Sequence, residues 1–330
     1  MIISKTPYRI SFFGGGSDYP AWYLKNGGSV LSTTIDKYIY ISCRYLPQFF
    51  HHKYRIVWSH IETVKKMNQI KHRAVREMLK YMKIKNGLEI HYDGDLPAKS
   101  GMGSSSVFVV GLMNLLNNYK KIKITKNELA KKSIFFEQKI LNDVVGSQDQ
   151  IAATFGGFNK IIFNKNGTFV VKPIVLKKNV LHKLNKNLLL IYTGFKRTAH
   201  DIAKTYVHKL HETKKNNILQ ISNFVNESEN ALKSGYLDDF GRLLHESWME
   251  KKNLSTSITN YKIDEIYKRA IEKGALGGKL LGAGGGGFFL FYVPSYKQKK
   301  FIEHFNKLIN VPFNFSNNGS EILFKSIINN

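Results

Sequence analysis

Apolar and polar residues alternate through much of the first 45 positions. "YRISFF" (8–13) and "SVLSTTIDKYIYISCRYL" (29–46) are rich in β-branched and aromatic residues, which suit a pleated surface, and both predict strands. "HRAVREMLKYMKI" (72–84) changes period, with Val75, Met78, Leu79 and Met82 on one face of a predicted helix. "GLEIHYDGDLP" reads as a strand ending at Pro97, and "SSVFVVGLMNLLNNY" as a buried helix. Thr125 with Glu128 three residues on is a capping box that opens the next helix, "LAKKSIFFEQKIL". Strands from "GGFNKIIF" to "TFVVKPIVL" are expected to close a first lobe, and "NLLLIYTG" to open a second. Helical stretches over about 199–234, 237–254 and 262–274, a strand in "FFLFYV" and a last helix near 296–308 complete that lobe. Mixed strands and helices without a regular βαβ rhythm predict an α+β fold, divided at about 1–180 and 181–330.

With 330 residues, 43% of them hydrophobic, the chain can build two real cores. The single Cys43 permits no internal disulfide, sits in a strand pattern as a core filler, and fits a reducing cytoplasm. The N-terminus lacks the apolar run of a signal peptide, and no apolar stretch approaches the ~20 residues of a membrane span. A net charge of +26 raises nucleic acid as a partner. The lysines are scattered in pairs such as Lys120–Lys121 and Lys214–Lys215, so no binding stripe forms, and the field suits collection of a small anion instead.

Three glycine-rich stretches carry the candidate chemistry. In "LPAKSGMGSSSVFVV" an apolar helix begins directly at the serines, so its first amides face a loop in which Gly101 and Gly103 permit close approach. This predicts a phosphate loop over Lys99, Ser100, Gly101, Met102, Gly103, Ser104, Ser105 and Ser106; the bland alternative is a serine-capped helix. "KLLGAGGGGFFLFYV" has G-x-G-x-x-G spacing at Gly282, Gly284 and Gly287, but a strand follows where a dinucleotide fold requires a helix. Glu137 falls beside Ile134 and Leu141 on an apolar strip, where an acid is either paired or a metal ligand. Asp149 follows a "VVGSQ" break that suits a pocket wall or a turn. His208 and His211, and His51 and His52, lack a third ligand nearby, which argues against zinc.

Taken together, "TPYRISFFGGGSDYP", "PAKSGMGSSS" and "KLLGAGGGGF" resemble the three motifs of the GHMP kinases, in order and over nearly the whole chain. The resemblance implies a ribosomal-protein-like N-terminal lobe and a ferredoxin-like C-terminal lobe, with ATP and substrate between them. It implies Mg2+ at Ser105 and Glu137, Asp149 as the catalytic aspartate, and Arg9 as the group neutralising the transferring phosphoryl. Asp149 would orient the attacking hydroxyl as much as deprotonate it, since carboxylates are weak bases. Gly284, Gly285 and Gly286 would support the phosphate loop and close over substrate.

"SDYP" and "DQI" are similar to galactokinase sequences, which implies an anomeric hydroxyl as acceptor and Asp18 as the sugar ligand, with Gly15, Gly16 and Ser17 beside it. Gly15 and Gly16 replace bulky side chains there, so a roomier pocket is expected. "ISFFGGGSDYP" with "GGSVLSTTIDKYIYI" looks most like the bacterial D-glycero-D-manno-heptose 7-phosphate kinases, which make the 1,7-bisphosphate on the way to GDP-heptose. L-fucokinase-like enzymes, and a non-catalytic sugar or ATP sensor with this fold, are the alternatives. Lys196 and Arg197, with His200, are candidates to hold the far phosphate. The partners implied are ATP and a small sugar phosphate, without nucleic acid or membrane, and with a homodimer as one compatible assembly.

Overall fold

The computed structural model describes residues 1–195 and 199–326, so Lys196 and Arg197 lie outside the described residues. The first lobe is built on β1 (Ile2–Phe13) and β2 (Gly28–Tyr45), paired antiparallel and joined through α1 (Pro20–Asn26). Proline at the start of α1 lacks an amide that the first turn leaves unpaired anyway. β3 (Tyr54–Val57), β4 (Ile61–Val64), α2 (Arg73–Tyr81) and β5 (Leu88–Gly94) follow, and α2 buries Val75, Met78 and Leu79 as its pattern predicts. α3 (Ser104–Tyr119) is buried at every position from Ser106 to Asn117, the mark of a central core helix. α4 (Lys126–Phe135) opens on the expected capping box, with the Thr125 hydroxyl accepting from the Glu128 amide. α5 (Gln148–Phe155), β6 (Phe158–Phe163) and β7 (Phe169–Pro173) complete the lobe.

The second lobe runs through α6 (Lys178–Asn187), β8 (Leu188–Tyr192), α7 (Ala199–Lys204), α8 (Lys215–Ser234), α9 (Leu237–Lys252), α10 (Tyr261–Glu272), β9 (Gly277–Leu280), β10 (Phe288–Tyr292), α11 (Gln298–His304) and β11 (Ile309–Val311). Its sheet is antiparallel in the order β11-β8-β10-β9. The stretch 199–234 is not one helix as its pattern suggests. Past α7 the backbone tightens: the amides of Thr205 and Tyr206 bond the carbonyls of Ile202 and Ala203, and the Thr205 hydroxyl also donates to Ile202, diverting the helical ladder. α6 was hidden among lysines and asparagines, yet Leu184 is fully buried on it.

The last strands, β12 (Phe315–Ser316) and β13 (Glu321–Lys325), return to the first sheet and pair with β2 and β1. That sheet therefore takes strands from both ends of the chain, in the order β13-β1-β2-β5-β3-β4, with β6 and β12 also on β2. Two contacts weld the lobes beside the cleft: Phe240 of α9 packs edge-on against Phe12 and Phe13, and Lys279 of β9 donates to the Phe12 carbonyl at 2.6 Å. Cys43 is buried in the core, which pushes its thiol up to about 12 and makes it inert. Among the described residues no helix is long and apolar enough to cross a membrane.

Candidate active site

The loop after β5 brings the chain to the start of α3 in two left-handed turns, Gly101 at φ 82° and Gly103 at φ 76°. No side chain caps α3, so its first amides are free to receive an anion. Lys99, Gly101, Gly103, Ser104, Ser105 and Ser106 line one cavity of about 420 Å³. Ser100 and Met102 do not: both are fully buried, and Met102 belongs to the hydrophobic core. Gly101 is backed by Leu281 and Gly282, and the Phe288 amide donates to the Ser100 carbonyl at 3.1 Å. The third glycine stretch thus buttresses the loop that precedes α3.

Arg9, on β1, and Asp149, in the first turn of α5, meet in this cavity through paired bonds, Nε to Oδ1 and Nη2 to Oδ2, both 2.7 Å. The remaining arm of Arg9 donates to the Gly101 carbonyl at 2.9 Å, tying the pair to the glycine loop before α3. Gly103 leaves room for them, since a methyl there would lie 3.1 Å from Asp149 Oδ2.

Glu137 is fully buried, in a short π-helical turn (Phe136–Ile140) that continues α4. Such turns re-aim a side chain that a regular helix would point elsewhere. Ser105 Oγ donates to Glu137 Oε1 at 3.1 Å, and Gln150 Nε2 to Oε2 at 2.5 Å. Burial pushes this carboxyl up to about 7, against the hydrogen bonds from Ser106, Gln150 and Ser105 and with help from the negative charge of Asp149.

On the other side of the cavity stands Asp18, also buried, with Oδ1 accepting from the Gly16 amide at 2.9 Å and Oδ2 facing the Gln148 amide at 3.4 Å. Burial raises its pKa, the Gly16 amide opposes that, and the Asp149 charge adds to it. Gly15 and Gly16 line the cavity, whereas Ser17 spends its hydroxyl on the Gly14 and Ser29 carbonyls and braces the loop from behind. Gly284 and Gly286 line the cavity, while Gly285 bonds the Ile258 carbonyl through its amide.

The family model for the GHMP kinases N terminal domain matches residues 68–157, and that for the GHMP kinases C terminal matches 229–308. A D-glycero-alpha-D-manno-heptose 7-phosphate kinase of Campylobacter jejuni is 31% identical over 324 residues, covering 93% of each chain. The chain belongs to the GHMP kinase family. Two solved structures share the fold of this GHMP kinase. A D-glycero-D-manno-heptose 1-phosphate kinase from Bacteriodes thetaiotaomicron superposes with a TM-score of 0.81 at 24% identity, over 99% of this chain and 100% of its own. A putative sugar kinase from Campylobacter jejuni does so with a TM-score of 0.74 at 28% identity, over 97% of each chain.

GHMP kinases are ATP-dependent, and such kinases generally use a metal ion. The residues here fit a hard cation: a serine hydroxyl and a buried carboxylate 3.1 Å apart offer oxygen donors to an ion that keeps several ligands from water and nucleotide. Among the described residues no cluster of three His, Cys, Asp or Glu could hold a metal alone.

Three further residues of this GHMP kinase escaped the sequence reading. Lys251 of α9 and Lys279 of β9 line the cavity and are at least nine-tenths buried. Leu244, Trp248 and Lys251 follow one another at helical spacing on the buried face of α9, which was the available signal. Gly146 is a third: it lines the cavity beside Asp18 and has no room for a side chain.

Proposed function

We propose that this kinase transfers the γ-phosphoryl group of ATP, with Mg2+, to the anomeric hydroxyl of D-glycero-D-manno-heptose 7-phosphate in a reducing cytoplasm. The observation that carries this reading is the position of the Arg9–Asp149 pair, in one cavity with the phosphate loop and with Asp18. The heptose is suggested by the Campylobacter jejuni relative, and by the open space at Gly15.

Phosphoryl transfer through a loose transition state asks the protein mainly to position groups and neutralise charge. The free amides at the start of α3 hold phosphate oxygens, and Asp18 takes sugar hydroxyls. Asp149 keeps lone pairs beyond those bonded to Arg9 and accepts a hydrogen bond from the attacking hydroxyl. As the new O–P bond forms and the bond to the leaving diphosphate breaks, the hydroxyl proton passes to Asp149. Arg9 balances the charge on both sides of that exchange. Ser105 and Glu137 would hold the Mg2+ ion, which supplies charge neutralisation on the phosphates. The assignment divides the chain near residue 180, at α6, into a nucleotide-binding N-terminal domain and a C-terminal domain carrying the third glycine motif, except that β12 and β13 return to the N-terminal sheet.

Phosphorus NMR of products formed from ATP, Mg2+ and a panel including heptose 7-phosphate, heptose, galactose and fucose tests this reading. A new anomeric phosphate signal is expected with heptose 7-phosphate. A signal with fucose alone would replace the heptose assignment, and none with any sugar would remove the kinase assignment.

A further inference from the structure

Two buried ammonium groups stand on the sugar side of the cleft without a carboxylate bonded to either among the described residues. Lys279 gives one bond, to the Phe12 carbonyl at 2.6 Å; Lys251 gives two, to the Leu280 and Gly282 carbonyls at 2.8 and 2.6 Å. An ammonium has three donors, so the pair keeps unused donors, and both residues line the cavity. Backbone carbonyls solvate a cation but do not neutralise it. Keeping two such groups so close to each other and to Arg9 is costly unless an anion completes the site. Their cost is visible in Lys279, which burial and the Arg9 charge push down to about 7 against the pull of Asp18.

Two polar side-chain atoms in the same wall are also unmatched. Ser11 Oγ and Gln148 Oε1 are buried without a hydrogen-bond partner, and both residues line the cavity. They flank the open position at Gly15, where an added methyl would meet only Gln148 Nε2 at 3.7 Å and Ser11 Oγ at 3.9 Å. Space, two cations and two orphan polar groups converge next to Asp18.

We infer that Lys251 and Lys279, with Ser11, form a phosphomonoester subsite that holds the phosphate the acceptor brings with it, while Gln148 takes an adjoining hydroxyl. The incoming γ-phosphoryl already has Arg9 and the amides of α3. Lys279 bonds the carbonyl of Phe12, the residue after Ser11, and Ser11 flanks the open Gly15 in the loop that leads to Asp18, which ties the dilysine wall to the acceptor side of the cavity. This inference rests on the sugar-phosphate reading above and names the residues that make the phosphate matter.

The test compares Lys251→Met, Lys279→Met and Ser11→Ala with the wild type. In the first arm, kcat/KM is measured with heptose 7-phosphate and with heptose, and the ratio between them is the readout. Each lysine variant is expected to lower that ratio about 10–100-fold, the range for a charge-assisted hydrogen bond, and Ser11→Ala to lower it less. In the second arm, inorganic phosphate is titrated calorimetrically into protein saturated with a non-hydrolysable ATP analogue. Binding by the wild type that is lost in both lysine variants supports the subsite even if heptose 7-phosphate proves not to be the substrate. A ratio unchanged in both lysine variants, or phosphate binding absent from the wild type or retained in the variants, overturns it. Methionine keeps the volume and removes a buried charge, so the fold is expected to survive, and circular dichroism checks it.

Discussion

Gly146 makes room for Asp18: a methyl on Gly146 would lie 1.9 Å from Asp18 Oδ2 and 2.6 Å from its carboxyl carbon. Asp18 is buried and held by the Gly16 amide, so it can relieve that clash only by giving up its present bonds. Gly146→Ala is therefore expected to turn the sugar-side carboxylate away from the cavity. The acceptor KM should rise by about tenfold or more, as for loss of a charged hydrogen bond, while the KM for ATP stays within twofold. A proportional rise in both constants would mean that Gly146 supports the whole cleft rather than Asp18.

Asp149→Asn separates position from charge. The amide keeps a hydrogen bond to Arg9 and the volume of the side chain, but no longer accepts a proton or balances the guanidinium. We expect kcat to fall about 10²–10⁴-fold, with nucleotide binding preserved in equilibrium titration. Turnover near the wild-type rate would remove Asp149 from the reaction.

The glycine loop at the start of α3 was legible because free amides at a helix start and glycines at positive φ are local features, and α3 begins at Ser104 where the serines predict it. Glu137 was legible through its apolar neighbours Ile134 and Leu141, and the structure does bury it, although through a π-helical turn that no periodicity marks. Lys251 and Lys279 were masked by context: in a chain with 50 lysines and arginines, a lysine in "MEKKN" or "GGKLL" reads as solvated. Lys279 is buried where the second sheet meets β1, and Lys251 where α9 packs on β9 and the glycine stretch after it, both tertiary events without a local signature. The return of β12 and β13 to the first sheet is of the same kind, since partner strands lying near opposite ends of the chain leave no trace in either segment.

Adjacent glycines in "GGGSD" should behave in opposite ways. Gly14, at φ +83°, would bring a methyl to 2.0 Å from the Ser29 carbonyl oxygen, so Gly14→Ala is expected to destabilise the fold by about 1–3 kcal/mol or more. Gly15 has open space and no left-handed backbone, so Gly15→Val should fold with an unchanged denaturation midpoint yet raise the acceptor KM. The comparison needs only urea unfolding and steady-state kinetics. Equal stability of the two variants, or a Gly15→Val enzyme with an unaltered acceptor KM, would refute the view that Gly15 is substrate space.

As the proposed metal ligand, Glu137 is expected to couple metal binding to pH. Its carboxyl titrates near 7 rather than in the ordinary range near 4.3, because burial disfavours the charge before any cation arrives. A folded-state pKa raised above the unfolded value contributes stability that is fully present below about 4.3 and is lost as pH rises through about 7. Without metal and nucleotide, the wild type should lose on the order of 3 kcal/mol between pH 4.5 and pH 8 relative to Glu137→Gln, whose amide cannot ionise. The variant can keep its partners, since Ser105 still donates to an amide oxygen and the Gln150 amide, whose oxygen is unpartnered, can turn over. The metal reverses the trend, because it requires the carboxylate: the Mg2+ concentration giving half-maximal rate should fall as pH rises from 6 to 8 in the wild type. In Glu137→Gln it should be higher throughout and flat over that range. Parallel magnesium profiles for the two proteins would show that Glu137 does not hold the ion.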